Sequence, residues 1–126
     1  IAMLLAKNGS KVILCARNEA NLAKVNEQFL ALNLNAHIES VDVSSTNSRL
    51  NFIEKISKKY GQVDLLVNNA AIGMFEKIED SNPKDIEKFF QTNFFGPLDL
   101  SVQAIKSMKK TSGGKIVSIS SAVSKF

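Results

Sequence analysis

The chain has 126 residues, 44% of them apolar and 22% charged, with one cysteine; that is the size of one domain with one core, and it excludes a disordered tail, a collagen-like rod and a disulfide scaffold. The formal net charge is +4, with basic residues dispersed apart from the pairs Lys58-Lys59 and Lys109-Lys110, which read as solvated helix ends and not as a nucleic-acid surface. No apolar stretch reaches the roughly 20 residues of a membrane span, no basic leader precedes the apolar residues 1–6, and a lone cysteine, Cys15, in a strand suits the reducing cytoplasm.

In chain order, residues 1–9 (IAMLLAKNG) read as an amphipathic helix without its N-terminal cap, closed at Asn8-Gly9. KVILCA (residues 11–16) is a near-continuous apolar run and predicts a buried strand. Asn18 stands at a helix cap, with Glu19 in the first turn; Leu22, Val25, Phe29 and Leu32 follow at helical spacing as one buried stripe. A short strand over residues 36–40 ends in Val41-Asp42-Val43. Residues 44–47 are cap-type, and Leu50, Ile53, Ile56 and Tyr60 mark one helix closed by Gly61. VDLLV (residues 63–67) is the next strand and residues 68–72 the loop after it. Ser81-Asn82-Pro83 opens a helix with Ile86, Phe89 and Phe90, and Gly96-Pro97 predicts a break or kink. A further helix carries Leu100, Ala104, Ile105 and Met108 to Gly113-Gly114, and KIVSIS (residues 115–120) is the last strand.

Strands alternating with longer helices predict an α/β fold, a doubly wound parallel sheet with helices on both faces. Ligands of such sheets sit beyond the carboxyl ends of the strands, which singles out four places. After the first strand, Arg17 stands where an acidic residue would bond a free ribose 2′-hydroxyl; a guanidinium suits a 2′-phosphate instead. After the second, the Asp42 carboxylate can accept from an adenine amino group while the backbone at Val43 frames the ring; the same aspartate would serve equally as a helix cap. After the third, Asn68-Asn69-Ala70-Ala71 combines amides that bond both ways with small residues that admit a flat ligand. After the fourth, Ser120 and Ser121 offer a hydroxyl that can donate to a carbonyl oxygen. No G-x-S-x-G elbow surrounds them and the sole histidine, His37, stands apart, so neither a hydrolase triad nor a metal site is expected.

Together Asp42-Val43, DLLVNNAAIG (residues 64–73), QTNFFG (residues 91–96) and GGKIVSISSAVS (residues 113–124) resemble, in order and spacing, the short-chain dehydrogenase/reductase family. The resemblance implies a Rossmann-type domain that binds NAD(P)(H) and moves hydride to or from a small-molecule carbonyl or alcohol. It places the family's Asn-Asn-Ala-Gly on residues 68–71, with Ala71 in place of glycine, and brings Asn69 and Ala70 to the cofactor ribose. It gives Asn93 the role of holding a water in a proton relay at a disturbed stretch of helix. It gives Ser121 the role of polarising the substrate oxygen, with Ser120 as the rival. Arg17 matches the members that prefer NADP, so NADP is expected over NAD. The helices around Phe89, Phe90, Phe94 and Phe95 build the dimer interface in this family, which implies a homo-oligomer; by their spacing alone these phenylalanines read as a core or a helix–helix seam.

Two family elements fall outside these residues: the Gly-rich loop would precede Ile1, and the Tyr-x-x-x-Lys pair would follow residue 126. Residues 1–126 are therefore expected to be a partial NAD(P)-binding domain, truncated at both ends, inactive and unstable as a polypeptide by itself. The strand that the family places between those at Val12 and Leu65 is absent as well, which would leave two inner backbone edges unpaired. A dinucleotide sensor without turnover and an inactive truncated product stand as the alternatives.

Overall fold

The computed structural model describes residues 1–121, which fall into two compact units, Ile1–Asp42 and the residues from Val43 onward. In the first unit, helix α1 (Ala2–Lys7), strand β1 (Val12–Ala16), helix α2 (Glu19–Ala31) and strand β2 (Ala36–Ser40) follow one another as α-β-α-β. β1 and β2 pair in parallel from Val12 opposite Ala36 to Ala16 opposite Ser40. Ala6, Val12 and Phe29 form the core, with Met3, Leu5, Leu14, Val25, Leu34 and Ala36 packed against it.

Local chemistry sets the ends of these helices. Gly9, at φ 84°, closes α1, with its N–H on the Ala6 carbonyl and the Ser10 N–H on the Leu5 carbonyl. The Asn18 side chain caps α2 by accepting from the Asn21 N–H at 2.9 Å. The expected stripe on α2 is correct for the buried Leu22 and Phe29 but not for Leu32, which is exposed. α2 stops at Ala31, Asn33 takes a left-handed φ of 53°, and the Leu34 N–H bonds the Phe29 carbonyl. The turn brings Leu34, not Leu32, onto the core.

The second unit holds α3 (Thr46–Arg49), α4 (Phe52–Tyr60), β3 (Leu65–Asn68), a 3-10 turn (Ile78–Asp80), α5 (Pro83–Phe90), a π turn (Gln91–Phe95), α6 (Gly96–Met108) and β4 (Lys115–Ser118). The one helix expected around Leu50 is two. Leu50 is exposed and Asn51 takes a left-handed φ of 58°. The cause lies on α6: the Gln103 amide donates to the Arg49 carbonyl at 2.9 Å and accepts from the Ile53 N–H at 3.3 Å. Those are the two groups that a continuous helix would join to each other. Buried Phe52, Ile53 and Ile56 of α4 and Leu100, Ala104 and Met108 of α6 make the apolar part of this unit; Ser57 Oγ and Ser107 Oγ lie 2.8 Å apart between the same helices.

β3 and β4 pair in parallel from Leu65 opposite Lys115 to Asn68 opposite Ser118. Both strands are shorter than the apolar runs predict, and Val117 is exposed. Among the described residues, β1 and β3 each pair on one side only, so β1, read from the sequence as a buried strand, is covered along one edge only. The break expected at Gly96-Pro97 takes another form. The helix runs on, the five residues before Gly96 widen into the π turn, and Gly96 and Pro97 occupy the first turn of α6. Pro97 has no N–H to give the Asn93 carbonyl, four residues earlier, so regular α geometry cannot close there.

Candidate active site

In the first unit the parallel register puts both strand ends on the same side of the pair, and the Val41 N–H extends the ladder to the Ala16 carbonyl. Arg17 and Asp42 leave the sheet there. Arg17 is exposed and makes no ion pair among the described residues, and Asp42 is half-buried. Asn18 opens α2 at once, so the chain turns away and leaves the guanidinium at the rim. Behind it, on β1, the Cys15 thiol is pushed up to about 12, first by desolvation and then by the Glu39 carboxylate. A thiol so shifted stays protonated at neutral pH and does not act as a nucleophile, even though the residue keeps solvent exposure. His37 Nε2 lies 3.1 Å from Glu39 Oε2 on β2.

In the second unit the loop after β3 and the segment after β4 likewise emerge at one end of their pair, since Asn68 stands opposite Ser118 and the Ile119 N–H bonds the Asn68 carbonyl. Asn68 is buried and donates through Nδ2 to Ser101 Oγ of α6 at 3.1 Å. Asn69 and Ala70 are exposed on the loop; Ser120 and Ser121 are exposed beyond β4. Residues 122–124 of the last motif lie outside the described residues.

Asn93 is the best-defined of the candidates. From the π turn its Oδ1 accepts from the Ile72 N–H at 2.9 Å, and its Nδ2 donates to the Ile72 carbonyl at 2.8 Å. A side-chain amide thus pairs with a backbone unit as another peptide would. It fixes the loop that carries Asn69, Ala70 and Ala71 to the helix. The wider π turn supplies the lateral offset that aims the amide at that loop.

One residue of this region escaped sequence reasoning. Arg49 is 2% exposed, and its guanidinium meets Asp99, Val43, Thr46 and Gln91. The contact with the Val43 carbonyl, 2.6 Å, is the shortest of these hydrogen bonds. The signal was present, since Arg49 stands at i, i+4, i+7 spacing with Ile53 and Ile56 on the buried stripe; a cation on such a stripe needs partners. Sequence alone could not name them, because Asp99 and Gln91 lie far along the chain. A shallow depression of about 470 Å³ lined by Asn51, Glu54, Lys55, Lys58 and Lys59 contains none of the strand-end residues.

The model of the short chain dehydrogenase family matches residues 1–126. The chain belongs to the short-chain dehydrogenase family. An uncharacterized oxidoreductase of Thermotoga maritima is 33% identical over 96% of this chain and 47% of its own length. The 3-ketodihydrosphingosine reductase of Bos taurus is 32% identical over 96% of this chain and 38% of its own length. An actinorhodin polyketide ketoreductase crystallised with NADPH superimposes with a TM-score of 0.92 at 28% identity, over 100% of this chain and 49% of that one. A gluconate 5-dehydrogenase from Burkholderia cenocepacia in complex with NADP and tartrate gives 0.86 at 26% identity, over 99% and 49%. The fold is therefore the Rossmann-type α/β fold expected of a short-chain dehydrogenase, present in part: the chain spans about half the length of the curated relatives it matches.

Proposed function

We propose that the full-length protein containing this chain is an NADP(H)-dependent oxidoreductase that reduces a small-molecule carbonyl or oxidises the matching alcohol. The observation that carries the reading is the two-point grip of Asn93 on Ile72. It holds the Asn69-Ala70 loop rigid at a strand end, where a flat ligand would lie on small residues. The donor set fits the cofactor: Arg17 offers a planar cation without an ion-pair partner among the described residues, and the short side chains of Ala70 and Ala71 leave room above the loop. NADPH, when bound, supplies the hydride. Arg17 would hold the 2′-phosphate, Asp42 and the Val43 backbone would hold the adenine, and Asn69 and Ala70 would meet the ribose. The Ser121 hydroxyl donates to the substrate oxygen and stabilises the negative charge that grows there. Asn93 orders the water that passes the proton. Relatives solved with NADP or NADPH support the same choice of coenzyme.

The test is titration of the full-length protein with NADPH and NADH, followed by turnover against a panel of aldehydes and ketones. Tight binding without turnover would favour a sensor; no binding of either would overturn the proposal. Arg17→Ala should weaken NADPH about tenfold or more and leave NADH unchanged, the worth of one charge-assisted phosphate contact. Equal effects on both coenzymes would remove Arg17 from the 2′-phosphate site.

The same full-length protein is proposed to be a homo-oligomer. The phenylalanines do not form a closed seam: Phe90, Phe94 and Phe95 are exposed. With Leu98, Val102 and Ile105, which are also exposed, Phe94 continues a stripe of helical period along α6, an apolar face suited to a second copy. Leu98→Asp combined with Val102→Asp should reduce the mass seen by light scattering to that of a monomer; an unchanged mass would reject this face.

A further inference from the structure

We propose that Arg49 is a positioning residue for the adenosine half of the coenzyme, acting through the Val43 carbonyl without touching the ligand; the inference rests on the coenzyme-binding reading above. Three segments converge on its guanidinium. Nη1 donates to the carbonyl of Val43, in the segment that follows β2, at 2.6 Å. Nε donates to Asp99 Oδ2 in the first turn of α6 at 3.0 Å, and Nη2 lies 2.8 Å from the same oxygen. Nη2 also reaches Thr46 Oγ1 at 3.2 Å and Gln91 Oε1, at the start of the π turn, at 3.4 Å. One planar cation therefore ties the Val43 backbone to the π turn that carries Asn93.

A second feature locks the same peptide. Gly96 lies so close to it that a Cβ there would stand 2.7 Å from the Val43 oxygen and 3.1 Å from the Gln91 oxygen. The Val43 carbonyl is thus held between a glycine that cannot be enlarged and a cation that cannot move aside. A carbonyl fixed in this way fixes the orientation of its peptide, and that peptide is the one proposed to frame the adenine. Lysine would keep the charge, but its three donors radiate from one nitrogen and do not reproduce the planar fork that reaches Val43, Asp99 and Gln91 from separate nitrogens.

Arg49→Lys and Arg49→Met in the full-length protein should raise the dissociation constants of NADPH and of adenosine 2′,5′-bisphosphate by the same factor, about tenfold for methionine and less for lysine, with kcat at saturating coenzyme changed less than threefold. Asp99→Asn, which removes a charge but leaves the Val43 contact, should shift both constants less than threefold. The proposal is overturned if the lysine variant melts earlier yet binds both probes as the wild type does, for then Arg49 serves stability alone. It is also overturned if NADPH weakens while the bisphosphate does not. Wild-type protein that binds neither probe removes the coenzyme reading itself, and this inference falls with it. Should the methionine variant fail to fold, the lysine variant decides between these outcomes.

Discussion

Asn93→Ala in the full-length protein is expected to lower kcat by about 100-fold or more, in the range found when a group that moves or orders a proton is removed, and to weaken NADPH as well. The double effect follows from geometry. The substitution deletes two hydrogen bonds at once, 2.9 Å and 2.8 Å, and leaves both the N–H and the carbonyl of Ile72 without the amide that paired them. Each backbone group so abandoned costs about 1–3 kcal/mol unless water reaches it. The loop carrying Asn69 and Ala70 lowers that cost by moving, and its movement is what the coenzyme would feel. Asn93→Asp is the sharper variant. A carboxylate still accepts from the Ile72 N–H but confronts the Ile72 carbonyl with a second acceptor, so it should be no better than alanine. Stopped-flow reduction and coenzyme titration on folded variants decide the matter. A kcat within threefold of wild type for either variant would show that the grip on Ile72 is not part of the reaction.

Much of this arrangement was legible because short-range chemistry sets it. Gly9 after α1, Asn18 before α2 and Asn82-Pro83 before α5 act over two to four residues, and each element begins or ends where they stand. Misreadings came where a periodic pattern outlasts the element that bears it. Leu32 and Leu50 both sit at the right spacing for a buried face, yet Asn33 and Asn51, one residue on from each, turn the chain into left-handed φ. At Leu50 the deciding group is Gln103, some fifty residues on, whose amide takes over the hydrogen bonds of the helix it interrupts. Asn93 lay in a recognised motif, but its partner Ile72 and the π turn that aims it arise from tertiary packing. Arg49 was passed over for the same reason: a cation in a helical stripe states that partners exist without saying which. Where strand ends line up in a parallel pair, position in the sequence is enough to predict the side of the sheet; where side chains meet across elements, it is not.

Ser121→Ala should have the other large effect: kcat lower by about 100- to 1,000-fold, as for loss of one donor to a developing oxyanion, with NADPH affinity unchanged. Ser120→Ala is the control, because the two hydroxyls are adjacent and both exposed beyond β4. Both serines sit just past the paired strand. Ser118 is the last paired residue, opposite Asn68, and the Ile119 N–H still bonds the Asn68 carbonyl. The chain is therefore held as an extension of the strand through residue 119, and Ser120 and Ser121 follow directly on that hold. One serine should carry the effect and the other should change kcat less than a few fold. If Ser120→Ala shows the large loss and Ser121→Ala does not, the donor is Ser120 and the reaction scheme survives with that single exchange. If neither does, neither Ser120 nor Ser121 stabilises the substrate oxygen, and the proposed hydride transfer loses the charge-stabilising donor assigned to it among the described residues.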